Sequence, residues 1–225
     1  MWLLVFVTLS QTTLCDAFFW DLFNPCPTVT PPPDFNITEY VRKTWYVQRQ
    51  QVTSYLPESL FFCVTATYDI GDSKQWFRDA ITVKNVASRG EINNPIGNFP
   101  ICATQDDPVG APAKLRVAPC FLPAFFGGPY WVAAVAEDYS WAIIVAGQPS
   151  VEGSCTGEGL CTTRMPGFLP SFGNDQGLWF FSRVPVASEE VIATMEEKAL
   201  ELGLCTAEMK PVVQEGCNYE GADIK

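Results

Sequence analysis

The sequence predicts an all-β protein, a single eight-stranded antiparallel up-and-down barrel with one C-terminal α-helix packed outside it. Two observations predict this class. Eight strand-like segments follow one another through most of the chain, and apolar residues at helical spacing first occur after Ser188. The 225 residues also show no internal repeat and no domain linker. We therefore predict one domain, because a chain of this length can bury one continuous core.

The predicted strands are short runs bounded by turn-forming residues. In the first of them, alternation of side chains places Trp45, Val47 and Arg49 on one face. The segments IGDSK and EDYS are typical of tight hairpin turns. The eight strands are predicted at residues 44–52, 61–70, 76–86, 101–105, 114–120, 130–137, 141–146 and 178–184.

A helix is predicted after the barrel strands. Ser188 is a suitable N-cap, and the acidic residues Glu189 and Glu190 suit the positive end of a helix. Gly203 is a suitable stop, and a short strand at 210–214 is expected to follow. The apolar residues at helical spacing are Ile192, Met195, Ala199 and Leu202.

The composition argues against several functional classes. The net charge of −11 disfavours nucleic acid and anionic membrane surfaces as partners. The chain contains no histidine, so Ser-His-Asp and Cys-His catalysis and His-ligated zinc or haem lack their key residue. No Cys-x-x-Cys occurs either. Carboxylate or lysine chemistry stays open, but the composition excludes most hydrolase and metal sites. We predict a protein that is not an enzyme, with no catalytic residues and no metal site.

Residues 1–17 are predicted to be a cleaved secretory signal peptide. An apolar run from Trp2 to Leu9 precedes Cys15-Asp16-Ala17, which places small residues at the −3 and −1 positions. Cleavage would remove Cys15 and leave eight of the nine cysteines, an even number that predicts disulfides in a secreted protein. The alternative is a buried N-terminal strand.

Residues 18–34 form an aromatic and proline-rich leader without predicted regular structure. Its segment FFWDLF, from Phe18 to Phe23, would expose large apolar side chains, which predicts contact with a membrane or a protein partner. A Phe directly after the cleavage site also resembles the two-part signal of complex plastids, an alternative to secretion. Asn36-Ile37-Thr38 is an N-glycosylation sequon, so Asn36 is a predicted glycosylation site.

Residues 35–217 resemble the lipocalin family, and most closely its branch of apolipoprotein D and the bacterial lipocalins. The resemblance is carried by FNITEYVRKTWYV, YWVAAVAEDYSWAIIV and LWFFSRVP, with CVTATY as the second strand. Lys43 and Glu137 stand where the family has glycine and threonine. Residues 218–225 are expected to be a tail. The resemblance implies that four residues belong to the structural motif: Trp45, Asp138, Tyr139 and Arg183.

The resemblance also implies that one end of the barrel is closed. In lipocalins the Trp of the first strand lies across this end, against an Arg from the last strand. Here these residues are Trp45 and Arg183. A guanidinium group over an indole is a cation–π contact worth about 1–2 kcal/mol when shielded from water.

A ligand pocket is expected inside the barrel, since eight strands leave room for one small ligand. If Arg183 points inward, alternation along its strand turns Phe181 and Trp179 inward too. The resemblance adds that Trp131 and Trp179 match positions that line the ligand pocket of apolipoprotein D. A fatty acid, lysolipid, sterol or carotenoid-like molecule would suit such walls, bound without a covalent bond and with no other cofactor. The predicted ligand-binding residues are Val47, Ala66, Tyr68, Trp131, Trp179 and Phe181.

Three alternatives to a secreted carrier stay open at this point. The barrel could be filled by its own aromatic side chains. The protein could be a pigment- or lipid-binding subunit of a larger assembly, in a plastid for example. It could also be a lipocalin-fold enzyme similar to the de-epoxidases of plastids.

The loop before the last barrel strand, Gly147 to Gly177, is unusually long. It contains two cysteines and the apolar side chains of Phe168, Leu169 and Phe172. We expect it to be an ordered lid over the open end of the barrel.

Two disulfides can be predicted directly. Cys63 and Cys217 match the apolipoprotein D pair that ties the second strand to the C-terminal segment, so the resemblance implies their bond. The turn DDPVGAPA centres near Ala111, which would place Cys102 opposite Cys120 across a hairpin, close enough for a disulfide.

The other four cysteines allow three pairings. Apolipoprotein D joins its leader to the region of the seventh strand, which favours Cys26 with Cys155 or Cys161, and Cys205 with the other. The alternative joins Cys155 to Cys161 and Cys26 to Cys205.

Overall fold

The computed structural model describes residues 26–53, 55–75, 78–96, 101–157, 159–163, 177–219 and 224–225. A five-residue helix, α1 (Ile37–Val41), precedes the sheet. The strands are β1 (Trp45–Gln51), β2 (Phe62–Gln75), β3 (Arg78–Ser88), β4 (Ile101–Gln105), β5 (Lys114–Pro119), β6 (Gly128–Val135), β7 (Trp141–Val145), β8 (Val151–Glu152), β9 (Cys161–Thr162), β10 (Leu178–Ser182) and β11 (Met209–Pro211). Helix α2 (Glu189–Glu201) lies between β10 and β11.

Eight of these strands close into a barrel. Strands β1 to β7 pair antiparallel in chain order, and β10 pairs with β7 on one side and with β1 on the other. No edge of the barrel sheet is left open between these strands, because β10 supplies the last neighbour of β1. The predicted eight-stranded antiparallel barrel is thus confirmed. The short strand β11 adds to β1 through the pairs Arg49↔Pro211 and Gln51↔Met209.

Apolar side chains form two cores, one inside the barrel and one between the barrel and α2. The second core joins Met195 and Ala199 of the helix, both fully buried, to Ile143 and Phe180 on the outer face of the sheet. The helix begins where predicted, since the Ser188 side chain accepts a hydrogen bond from the Val191 amide, 3.4 Å away. Among the described residues, no helix is both long enough and apolar enough to cross a membrane.

The helix ends at the predicted glycine. Gly203 has φ of +71°, and its amide donates to the Leu200 carbonyl. A residue with a side chain would be strained in this left-handed conformation, and an added Cβ would lie 2.6 Å from Pro27. The glycine therefore lets the chain turn from α2 toward β11 close to the leader.

A β-bulge in β1 changes which side chains face the barrel interior. The register against β10 shifts between Val47 and Arg49. As a result Arg49 faces outward and forms an ion pair with Glu196 of α2. The prediction that Arg49 shares the inner face of Trp45 and Val47 is wrong, because Gln50 takes that position after the bulge.

The hairpin of β2 and β3 is longer than predicted. Its ladder continues through Lys74↔Asp79 and Gln75↔Arg78, with a register shift between Ile70 and Lys74. The segment IGDSK is therefore an irregular part of a strand, and the predicted tight turn there is wrong. By contrast EDYS forms the predicted turn between β6 and β7, closed by the Tyr139 amide donating to the Ala136 carbonyl at 2.9 Å.

Helix α1 was not predicted, because five residues are too few for a helical period. Asn36 caps it, with its side-chain oxygen accepting from the Thr38 amide at 3.0 Å. The predicted glycosylation site thus lies at an exposed helix N-terminus, and its occupancy stays a prediction.

Four disulfides join the eight described cysteines. They are Cys26–Cys161, Cys63–Cys217, Cys102–Cys120 and Cys155–Cys205. Of the three pairings that the sequence left open, the structure contains Cys26–Cys161 with Cys155–Cys205, one of the two in which the leader is joined to the long loop.

The hairpin register around one of these bonds differs from the prediction. Cys102 pairs with Ala118, and Cys120 follows β5. The Asp107 side chain accepts from the Gly110 amide at 2.7 Å and stabilises the turn. The centre of this turn lies about one residue earlier in the chain than predicted. The two cysteines are therefore diagonal neighbours, with Cα atoms 4.9 Å apart.

Candidate functional site

The barrel encloses a cavity of about 400 Å³, which is within the size range of ligand sites. Its wall is mostly apolar, and the described lining residues come from seven of the eight barrel strands, all except β7. None of the described residues that line it carries a charge. The lining residues of the barrel strands are Val47, Gln50, Val64, Thr65, Ala66, Tyr68, Val83, Asn85, Val86, Ala87, Ile101, Val117, Pro129, Tyr130, Trp179 and Phe181.

One end of the barrel is sealed by Trp45 and Arg183. The guanidinium carbon of Arg183 lies 3.5 Å from the centre of the Trp45 ring, and Trp45 is fully buried. The indole nitrogen donates to the Tyr40 carbonyl at 2.9 Å, and Arg183 donates to the same carbonyl at 2.8 Å. Burial lowers the pKa of Arg183 to about 10, so it stays charged at neutral pH. The predicted closure by these two residues is present.

The other predicted motif residues lie next to this seal. Asp138 accepts from the Ser140 amide at 3.0 Å, which holds the turn between β6 and β7. Hydrogen bonds from the side chain and then the backbone of Ser140 lower the pKa of the Asp138 carboxyl. The Tyr139 carbonyl accepts from Arg183 at 3.2 Å. The turn therefore helps to orient the guanidinium group over the indole.

Three tyrosine hydroxyls meet above the seal. The Tyr130 hydroxyl is 2.6 Å from that of Tyr40 and 2.7 Å from that of Tyr68. Burial raises the pKa of Tyr68 to about 12 and raises the pKa values of Tyr40 and Tyr130 well above the usual range. Tyr68 and Tyr130 also line the cavity. Their neutral hydroxyls are part of the wall and already have each other as hydrogen-bond partners.

Gln50 is a second polar group in the wall. It pairs with Trp179 across β1 and β10, and both residues line the cavity. Gln50 is 1% exposed, and neither its amide nitrogen nor its amide oxygen has a hydrogen-bond partner within the described part of the chain. A buried amide in this state carries an unmet desolvation cost.

The structure brings five of the six predicted ligand-binding residues together in the cavity wall. These are Val47, Ala66, Tyr68, Trp179 and Phe181. Their contact with a ligand stays a prediction.

Trp131 lies elsewhere, so its predicted place in the pocket is corrected. It packs against the core outside the barrel, and the Lys114 ammonium lies 4.0 Å from its ring centre. Alternation along β6 explains the difference, since the neighbouring Tyr130 and Val132 belong to the inner face. Tyr130 is therefore the inward residue that the prediction missed.

The cavity extends toward the barrel end opposite Trp45. Tyr55, Leu56 and Leu60 line it from the connection after β1, and Ile96 does so after β3. These connections therefore border the end of the cavity that lies away from the seal. Because the strands run up and down in chain order, the connections after β1, β3 and β5 lie at the same end of the barrel. The connection after β5 carries the exposed residues Phe125 and Phe126.

Two disulfides bond the long loop before β10 to other segments of the chain. Its strands β8 and β9 pair with each other, Cys161 is bonded to Cys26, and Cys155 is bonded to Cys205. None of its described residues lines the cavity. The apolar side chains on which the lid prediction depends, Phe168, Leu169 and Phe172, lie outside the described residues, as does the segment FFWDLF of the leader.

No protein-family model and no curated protein matches the sequence. Solved structures match the fold. The major allergen Per a 4 from cockroaches is 14% identical, with a TM-score of 0.53, and the match covers 87% of this chain and 98% of that one. Apocrustacyanin C1 is 11% identical with a TM-score of 0.55, and lobster apocrustacyanin A1 is 15% identical with a TM-score of 0.53. Each of these two matches covers 88% of this chain and 94% of the other.

A closed eight-stranded barrel with one sealed end, an internal cavity and an outer helix defines a lipocalin fold. The solved structures share this architecture at low identity, so the likeness shows the fold alone.

Proposed function

We propose that this protein is a secreted carrier that holds a small hydrophobic ligand non-covalently inside the barrel. The observation that carries the proposal is the cavity of about 400 Å³, sealed at one end by Trp45 and Arg183. Burying an apolar ligand gains about 0.8 kcal/mol per methylene, so a body of about ten methylenes gains ~8 kcal/mol before entropic costs. A rigid, preformed barrel keeps those costs low.

Binding rather than catalysis is the proposed activity. The wall of the cavity offers apolar surface and neutral hydrogen-bonding groups, which suit recognition of a hydrophobic molecule. Tyr68, the lining residue with a pKa of about 12, is a poor acid or base at neutral pH.

The compartment we propose is extracellular. Four disulfides join residues as far as 154 positions apart, and such bonds persist where the environment is oxidising. The predicted signal peptide at 1–17 supports the same compartment. We also propose membership of the lipocalin family, in the branch of apolipoprotein D, on the motifs around Trp45, Asp138 and Arg183 together with the fold.

A ligand titration of the purified mature protein tests the carrier function. Fatty acids, retinoids, sterols and carotenoids are each added while tryptophan fluorescence is followed, and native mass spectrometry identifies any molecule that copurifies. We expect a saturable change with a stoichiometry of one for at least one class. If none of the four classes binds saturably, the carrier proposal is overturned.

A second candidate is a ligand-binding subunit of a larger assembly. It is favoured by exposed aromatic side chains between β5 and β6, where Phe121 is 68%, Phe125 74% and Phe126 55% exposed. Sedimentation of the wild-type protein and of a Phe125→Ser/Phe126→Ser variant tests it. Self-association or partner binding that this variant loses would support the assembly role, and a monomer with no partner in both would oppose it.

A further inference from the structure

Two polar groups of the cavity wall are left without a hydrogen-bond partner in the described structure: the hydroxyl of Thr65 and, with its donor as well as its acceptor atom, the amide of Gln50. Both of its amide atoms are buried without a hydrogen-bond partner in the described structure. By contrast the hydroxyls of the lining residues Tyr68 and Tyr130 bond to each other at 2.7 Å, and Tyr130 also bonds to Tyr40 behind the wall at 2.6 Å. An unsatisfied buried amide carries a desolvation cost, which a bound ligand with a matching polar group removes.

The bulge in β1 places Gln50 on the inner face of the barrel, among the residues that line the cavity. The bulge after Val47 turns Arg49 outward to Glu196 and turns Gln50 inward. Gln50 is directly opposite Trp179, so a ligand lying against the indole ring would also reach the amide. Without this bulge, simple alternation would have placed Arg49, a cation, in the wall.

The charge of the wall limits the ligand further. The described lining residues include no acidic or basic side chain. An ionised carboxylate inside the cavity would lose its hydration without gaining a counter-charge, which is strongly unfavourable. A hydroxyl or carbonyl group does not have this cost, and the amide can donate to it or accept from it.

We propose that the cavity selects a neutral, mainly apolar ligand whose hydroxyl or carbonyl group hydrogen-bonds to the Gln50 amide, and that it discriminates against ionised carboxylates. This inference rests on the carrier function proposed above and narrows its ligand class. Among the classes considered, neutral alcohols and ketones are favoured over free fatty acids.

Three fluorescent probes with the same aromatic body test the selection. Pyrene, 1-pyrenemethanol and 1-pyrenecarboxylate are titrated at pH 7.5, with energy transfer from tryptophan to the probe as the readout. We expect 1-pyrenemethanol to bind about fivefold to tenfold more tightly than pyrene, the equivalent of one net hydrogen bond. We expect 1-pyrenecarboxylate to bind at least about tenfold more weakly than 1-pyrenemethanol.

The variant Gln50→Leu assigns the preference to the amide. It should bind pyrene as well as wild type or better, which also shows that the barrel is intact, and should lose the advantage of 1-pyrenemethanol. Gln105→Leu is the matched control, because Gln105 lies in β4 outside the cavity wall and its amide donates to the Pro112 carbonyl. This control should keep the wild-type ratio of affinities.

The possible results separate the two proposals. If pyrene binds but the alcohol has no advantage, or if Gln50→Leu keeps the wild-type ratio, the role of Gln50 is overturned while the carrier function stands. Tight binding of 1-pyrenecarboxylate would overturn the selection against carboxylates. If none of the three probes binds and the titrations with natural hydrophobic classes also fail, the carrier function and this inference fall together.

Discussion

Arg183 lies over the ring of Trp45, with its guanidinium carbon 3.5 Å from the ring centre; Trp45 begins the first strand of the barrel and Arg183 directly follows the last. The same guanidinium group donates to the carbonyls of Glu39 and Tyr40, at 3.1 and 2.8 Å. The contact therefore links β1 and the end of β10, the two strands that close the barrel, to helix α1, which precedes β1 in the chain. We predict a structural role for this contact, which unfolding and binding experiments can separate from a role in ligand binding.

Replacing Arg183 by Ala should destabilise the protein by about 1–3 kcal/mol without abolishing ligand binding. The substitution removes the cation–π contact and the hydrogen bonds that Arg183 donates to the carbonyls of Tyr40 and Tyr139. Arg183→Lys should recover only part of the loss, because an ammonium group lacks the planar fork of a guanidinium. Denaturant unfolding measures the change.

Arg42→Ala is the matched control for this prediction. Arg42 forms an exposed ion pair with Glu39 at 3.1 Å, and its loss should cost less than about 0.5 kcal/mol. If Arg183→Ala keeps the wild-type midpoint but loses ligand affinity, Arg183 contacts the ligand and the structural role is wrong.

Trp179 and Trp131 should respond differently to a bound ligand. Trp179 lines the cavity, whereas Trp131 packs outside the barrel under Lys114. A neutral apolar nitroxide, which quenches fluorescence at short range, should therefore quench the wild type and the Trp131→Phe variant similarly. Trp179→Phe should lose most of the quenching. A loss in Trp131→Phe instead would mean that the ligand binds outside the barrel.

The tyrosine cluster should make stability depend on pH in the alkaline range. The folded-state pKa of Tyr68, about 12, is above its ordinary value of 10.0, because burial disfavours the charged form. Between these two values the unfolded chain loses the proton that the folded chain keeps, so stability is full below pH 10 and falls as pH rises toward 12.

Tyrosinate absorbance and near-ultraviolet circular dichroism during an alkaline titration measure this behaviour. Only part of the seven tyrosines should ionise near pH 10, and the cluster should ionise together with loss of the native spectrum. Tyr68→Phe should reduce the fall in stability over this range. Ionisation of all seven near pH 10 in a native protein would contradict the cluster.

The disulfides should contribute unequally to stability. Cys63–Cys217 closes a separation of 154 residues, and Cys102–Cys120 closes one of 18. Since the entropy removed from the unfolded chain grows with loop length, Cys63→Ser/Cys217→Ser should cost about 1–2 kcal/mol more than Cys102→Ser/Cys120→Ser. Denaturant unfolding gives both losses, and equal losses would contradict the expected order. Non-reducing peptide mapping should recover the four pairs.

Local patterns were enough for the elements of the barrel. Alternating side chains located all eight strands, and β4 was predicted with the bounds it has in the structure. Ser188 and the apolar spacing after it located α2. Such signals lie within a few residues of one another, so they can be read without knowing which strands meet. The family motifs then indicated the contact between Trp45 and Arg183.

The sequence by itself thus determined the class of fold, the seal and most of the inward residues, while the tertiary structure alone decided the polar character of the cavity. The bulge that turns Gln50 inward arises where β1 must pair with β10, 130 or so positions away in the chain, and no local pattern records such a shift. Whether Tyr130 or Trp131 faces the barrel interior likewise depends on the register in which β6 pairs with β5. Because side chains alternate with a period of two, a shift of one residue exchanges the inner and outer faces, and only the closed barrel fixes that choice.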